Sequence, residues 1–163
     1  MTYRPDQLRD ALSDLVGALQ PRVEYVQNTT TDTQWTQSHE PFAPDLIPED
    51  IAGMRHMLYH LEIREVGLES RVGNETMLRT TVDAYCLSAI LPAGNYAPVE
   101  SWNQALCMAR HLWFTLADAD KHLGGITSIV DQGETFYRVI PTSLEWLMGH
   151  VRISYLFPDS LEA

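Results

Sequence analysis

The sequence predicts an α+β fold, with helices packed on a mainly antiparallel sheet, in the order helix, strand, long loop, β hairpin, helix, strand, strand. Three observations predict it. Two segments, 5–19 and 101–116, repeat their apolar residues at helical spacing. Two others, starting at Met57 and at Leu78, alternate with a period of two on either side of Gly73-Asn74. The chain has 163 residues, 45% of them apolar, which suits one domain with one core rather than two.

Local chemistry justifies each element. Pro5 suits the first turn of a helix, where its missing N–H costs nothing, and Leu8, Leu12, Leu15 and Leu19 follow at helical spacing until Pro21 stops the run. Arg22–Gln27 is a short strand candidate. From Asn28 to Asp50 the chain is polar and broken by Pro41, Pro44 and Pro48, which predicts a long loop carrying Trp35 and Phe42; aromatic side chains in such a loop need a surface to bury against. Met57, Tyr59, Leu61 and Ile63 alternate with Leu58, His60, Glu62 and Arg64, and Leu78, Thr80, Val82, Ala84 and Cys86 form the matching face of a second strand. Together they predict a long antiparallel hairpin. Trp102, Ala105, Leu106, Ala109, Leu112, Trp113 and Leu116 make one broad apolar stripe, expected to pack on that sheet through Trp102, Leu106, Ala109 and Trp113. Gly124-Gly125 reads as a turn. Phe136–Ile140 and the alternation of Val151, Ile153, Tyr155 and Phe157 close the sheet.

Charge narrows the function. Eleven basic residues stand against 22 acidic ones, for a net charge of −11. Such a chain is a poor general binder of nucleic acid or anionic membrane, because phosphate contacts need clustered Lys and Arg. No apolar run reaches the ~18 residues of a membrane span, and the first residues lack the pattern of a secretory signal, so a soluble protein is expected. Cys86 and Cys107 do not make a disulfide framework; both read as core thiols in a reducing compartment.

The usual catalytic and binding signatures are missing from the sequence. It holds no phosphate-binding glycine loop and no nucleophile elbow. His56 and His60 share a strand face about 13 Å apart, too far to hold one ion. Asp118, Asp120 and His122 resemble the opening of a calcium loop, but Leu123 stands where glycine is required and Ile129 where glutamate is, so solvated charges after a helix are the better reading. Glu49-Asp50 adjoin Pro48 and read as a turn. Glu62, Glu65, Glu69 and Glu75 could form a carboxylate site, although a charged solvent face is commoner. No acid, base and nucleophile can be named together, so no enzymatic activity, metal or cofactor is expected.

Most of the chain resembles the tail terminator proteins of long-tailed bacteriophages. The residues that carry the resemblance are HLEIREVGLESRVGNE, LRTTVDAYCLSAILPAGN and PVESWNQALCMARHLWF: a strand pair with Glu69-Ser70-Arg71 at its turn, Arg79-Thr80, a strand ending in Pro92-Ala93-Gly94, and an amphipathic helix. GETFYRVIP and HVRISYLF follow in the family's order, while the loop at 28–50 is longer and more polar than the family's pattern. The resemblance implies a structural ring in the virion, commonly of six copies, which ends growth of the tail tube and joins it to the head connector. Its partners would be other copies of itself, the tube protein and the connector, with DNA only as cargo through the hole and no membrane. Trp35, Phe42, Glu69, Ser70, Arg71 and Asn74 are the expected subunit or partner contacts. Glu62, Glu65, Glu69 and Glu75 are the expected lining of the hole, where like charge would keep DNA from sticking. Another connector protein of the head–tail junction and a non-enzymatic binding module remain the alternatives.

Overall fold

A computed structural model describes residues 3–19, 35–37, 57–89, 98–130, 135–142 and 146–158. The elements are α1 (Pro5–Ala18), β1 (Trp35–Gln37), β2 (Met57–Val72), β3 (Glu75–Ala89), α2 (Pro98–Ala117), a 3-10 turn at Ala119–Lys121, β4 (Thr127–Ile129), β5 (Phe136–Pro141) and β6 (Trp146–Pro158). The fold is α+β, as the two periodicities predict. The predicted strand at 22–27 and the turn at Glu49-Asp50 lie outside the described residues, as does most of the predicted loop. Within that loop, Trp35–Gln37 is a strand rather than loop, and it pairs parallel with the start of β2.

The sheet runs β1-β2-β3-β6-β4, with β5 also on β6. β3 and β6 form its middle through thirteen consecutive rungs, from Met77↔Pro158 to Ala89↔Trp146, without a shift of register. β4 and β5 lie end to end along the outer edge of β6, opposite Leu156–Ser154 and Arg152–Leu147. The strand Thr127–Ile129 falls in a stretch too short for period-two reading. Gly73, at φ 62°, supplies the left-handed turn that joins β2 to β3 at the rung Val72↔Glu75, which agrees with a turn centred on Gly73-Asn74.

Two bulges break the alternation of β2. The register with β3 shifts between Ile63 and Glu65 and again between Leu68 and Ser70, so Arg64 and Glu69 are the extra residues. The first bulge moves the helix-facing positions of β2 from Tyr59, Leu61 and Ile63 to Val66 and Leu68, which stand opposite Thr80 and Leu78. The hydroxyl of Thr80 donates to the carbonyl of Glu65 at 2.9 Å and so satisfies a backbone group beside that bulge. Glu69-Ser70-Arg71 therefore lies inside β2 at a bulge, not at the turn.

Both helices pack on one face. The core joins Leu8, Leu12 and Val16 of α1 and Met108, Ala109, Leu112 and Leu116 of α2 to Leu61, Val82, Val151, Ile153, Tyr155 and Phe157 of the sheet. The hydroxyl of Tyr59 donates to the Ser13 carbonyl at 2.9 Å and that of Tyr155 to the Leu116 carbonyl at 2.6 Å, tying each helix to a strand. The predicted contact line of α2 needs correcting. Trp102 and Leu106 are exposed, and the buried line is Ala105, Met108, Ala109, Leu112 and Leu116. The reason is size: at Gly149 the sheet surface is flat, and the small Ala109 lets the helix approach it closely. Trp113 sits on the flank of this line, part-buried, with its indole 5.8 Å from the Tyr137 ring of β5. Cys86 is buried, which pushes its thiol up to about 12, whereas Cys107 is only part-buried and not a core thiol.

A methyl group on Gly149 would lie 2.5 Å from Cys86 Sγ and 2.9 Å from Ala109 Cβ. Gly149→Ala should therefore destabilise the fold by roughly 1–3 kcal/mol, as overpacking does. Gly124→Ala, with nothing within 4 Å of the added carbon, should stay within about 0.5 kcal/mol in the same urea titration.

Candidate functional site

The long hairpin is the part of the molecule that carries most of the predicted contact residues. Among the described residues β6 accompanies β3 as far as Met77↔Pro158, so Arg71 to Thr76 continue as a short two-stranded arm, roughly 10 Å long at ~3.4 Å per residue. Every residue from Arg64 to Glu75 is exposed. Glu69 and Ser70 stand at the base of the arm, and Arg71 and Asn74 on it. Arg79 reaches Glu69 at 3.8 Å, a loose surface pair. The side chain of Trp35, and Phe42 altogether, lie outside the described residues.

The four acids do not form a carboxylate site. Glu62 and Glu65 stand opposite Asp83 and Thr81 on the face away from the helices, Glu69 is the bulged residue, and Glu75 closes the turn. By their rungs Glu62 and Glu65 stand about 7 Å apart, and Glu69 and Glu75 lie farther along the hairpin. Among the described residues no group of three or more His, Cys, Asp or Glu could hold a metal ion. Glu62 lies 3.2 Å from His60 Nε2, yet burial holds His60 below its ordinary value despite that carboxylate; His56 lies outside the described residues. Asp118 pairs with Lys121 at 3.2 Å and Asp120 accepts from the Ser128 N–H at 3.4 Å, so both are surface charges after α2 with partners of their own.

Farther back along β3, on the helix-free face, is a polar cluster that the sequence does not reveal. Asp83 of β3 and Arg152 of β6 are rung partners, with Tyr85 and His150 on the next rung of that face. Arg152 donates to both Asp83 oxygens at 2.8 and 3.3 Å. Arg64, the residue extruded by the first bulge, comes within 3.5 Å of Asp83 Oδ2. His150 Nε2 lies 2.9 Å from Asp83 Oδ1, and Arg138 of β5 reaches His150 Nδ1 at 3.2 Å. A guanidinium can only donate, so Nδ1 accepts and the imidazole proton sits on Nε2, aimed at the carboxylate. Tyr85 stacks on His150 with centroids 4.7 Å apart, and Arg138 and Arg152 both lie over the Phe136 ring.

Electrostatics make this cluster a clamp. Burial alone would raise the Asp83 carboxyl, but hydrogen bonds from His150 and Arg152, and the charge of Arg152, outweigh it and hold it at about 2. The hydroxyls of the neighbouring rung, Thr81 and Ser154, lie 3.4 Å from one another. The cluster thus pairs a carboxylate with its donors and ties β2, β3, β5 and β6 together.

Compared with protein-family models and with curated proteins, the chain finds no match. Among the described residues no helix is long and apolar enough to cross a membrane.

Asp83→Ala would leave the buried His150 and the part-buried Arg152 without their carboxylate, and should destabilise the protein by roughly 1–3 kcal/mol. The sign with pH follows from the depressed value. The carboxyl binds a proton more weakly in the folded state than unfolded, where it titrates near ~3.9. Its stabilisation is therefore complete above about pH 5 and is lost as pH falls from there to about 2. Denaturation curves between these limits should be steeper in pH for the natural protein than for Asp83→Ala.

Proposed function

We propose that the protein is a structural ring subunit of a bacteriophage tail: a tail terminator that caps the tail tube, ends its growth and joins it to the head connector in the virion. The observation that supports this reading most directly is the arm. Val72 on the arm, 76% exposed, and Leu68 at its base, 65% exposed, leave large apolar side chains in water, which a lone subunit gains nothing by doing. An assembly would cover them. The order of elements, with a hairpin between two helices and closing strands after the second, also agrees with the resemblance in the sequence.

The charge fits the same role. Glu62 and Glu65 are exposed or half-exposed on the face of β2 away from the helices. With Glu69 and Glu75 they are the side chains proposed to line the hole, where carboxylates repel passing DNA over a screening length of ~8 Å at physiological salt.

The reading is tested with the full chain and polymerising tail tube protein. A terminator should bind tube ends, stop elongation at sub-stoichiometric amounts and appear as a ring at one tip in electron micrographs. Tubes that elongate at an unchanged rate, with no density at either end, would remove the terminator reading. Binding to a connector without any effect on tubes would favour another protein of the head–tail junction.

A further inference from the structure

Among the described residues one long strand is paired on one side only. β3 follows β2 along the hairpin, whereas β1 meets the other edge of β2 at three rungs, from Trp35↔Met57 to Gln37↔Tyr59. From His60 onward no strand of the described residues lies on that outer edge. An edge of this kind presents backbone N–H and C=O groups as a template for a further strand.

Immediately past the last β1 rung lies a cavity of about 460 Å³. Its walls are the first turns of α1, at Pro5, Asp6 and Arg9, and consecutive residues of β2 from His60 to Ile63. Leu61 and Ile63 lie on the helix side of the sheet, and His60 and Glu62 on the other. A cavity walled by both faces of one strand lies at that strand's edge, so this one continues the lane that β1 occupies beside β2.

The two sides of the lane differ in chemistry. On the helix side Pro5, Leu61 and Ile63 offer apolar surface, and the charges are matched: Asp6 pairs with Arg4 at 3.1 Å and Arg9 with Asp10 at 2.8 Å. On the other side Glu62 lies 3.2 Å from His60 Nε2, but burial holds that imidazole below its ordinary value, so the carboxylate keeps its charge. Asp83, on the rung opposite Glu62, takes the nearby cations, Arg152 at 2.8 Å and Arg64 at 3.5 Å.

We propose that this edge of β2 takes an extended segment of another protein as an added strand, with apolar side chains over Leu61 and Ile63 and a lysine or arginine beside Glu62. Strand addition draws affinity from main-chain hydrogen bonds and specificity from alternate side chains, and opposite charges across a strand pair stabilise it. A second copy of this chain is a poor occupant, because copies of net charge −11 repel one another. The bulge between Ile63 and Glu65 ends the regular stretch and keeps the site short. The proposal goes beyond the ring reading and does not depend on it: a bound strand covers Glu62 and leaves Glu65, Glu69 and Glu75 to the hole.

The experiment follows amide hydrogen exchange and NMR shifts of the full chain as a short synthetic peptide alternating Val and Lys is added. In the free protein, the amides of His60 to Ile63 that point away from β3 should exchange fast. The peptide should slow them and shift their resonances. The same peptide with Glu in place of Lys should bind roughly fivefold or more weakly. Glu62→Lys, checked for folding by circular dichroism, should reverse that preference. Amides already protected in the free protein overturn the proposal, because the chain itself then fills the lane. Protection that rises with protein concentration overturns it in favour of a second copy. A peptide that leaves these amides exchanging fast at millimolar concentration, or that binds the Glu62→Lys variant as well as the natural protein, also overturns it. None of these outcomes bears on whether tube growth stops, so the ring reading stands or falls separately.

Discussion

The rest of the structure depends on the unbroken ladder between β3 and β6. Thirteen rungs hold one register from Met77↔Pro158 to Ala89↔Trp146. Because side chains alternate along a strand, that register decides both faces at once. On one face it sets Val82 opposite Ile153 and Ala84 opposite Val151, the surface on which the helices lie. On the other it sets Asp83 opposite Arg152 and Tyr85 opposite His150. A slip of one residue would bury the Asp83–Arg152 pair under the helices and turn the core valines outward. The hydrophobic effect on one face and the paired charges on the other therefore favour the same alignment.

Among the described residues, both bulges are in the flanking strand β2. The bulge at Arg64 has two consequences. It frees a guanidinium to approach Asp83, and it keeps an apolar row, Val66 and Leu68, on the helix-facing side beyond the point where the helices cover the sheet. The first consequence serves the stability of the subunit. The second leaves Val66 and Leu68 exposed, a surface that the proposed ring would cover.

The pattern of charge runs the same way. The carboxylates along β2 and the turn protect an open strand edge from indiscriminate pairing, a common use of edge charges.

The sequence by itself determined the elements whose signal is local. The period of 3.6 in 5–19 and 101–116, the period of two around Gly73-Asn74, and the alternation from Val151 to Phe157 each depend on neighbours in the chain, and α1, α2, the hairpin and β6 follow from them. Only the tertiary structure decided which part of a broad apolar arc faces inward. Trp102 and Leu106 are as apolar as Met108 and Leu112, but contact with Gly149 requires the small Ala109 at the centre of the helix face, and this rotates the two larger residues to the outside. The bulges at Arg64 and Glu69 were equally hidden, because a bulge is a mismatch with the partner strand and leaves no fixed signature in one strand alone. The Asp83 cluster was hidden for the same reason: its members are scattered from Arg64 to Arg152, and each looks like a solvated surface charge until the β3–β6 register brings them within hydrogen-bond distance.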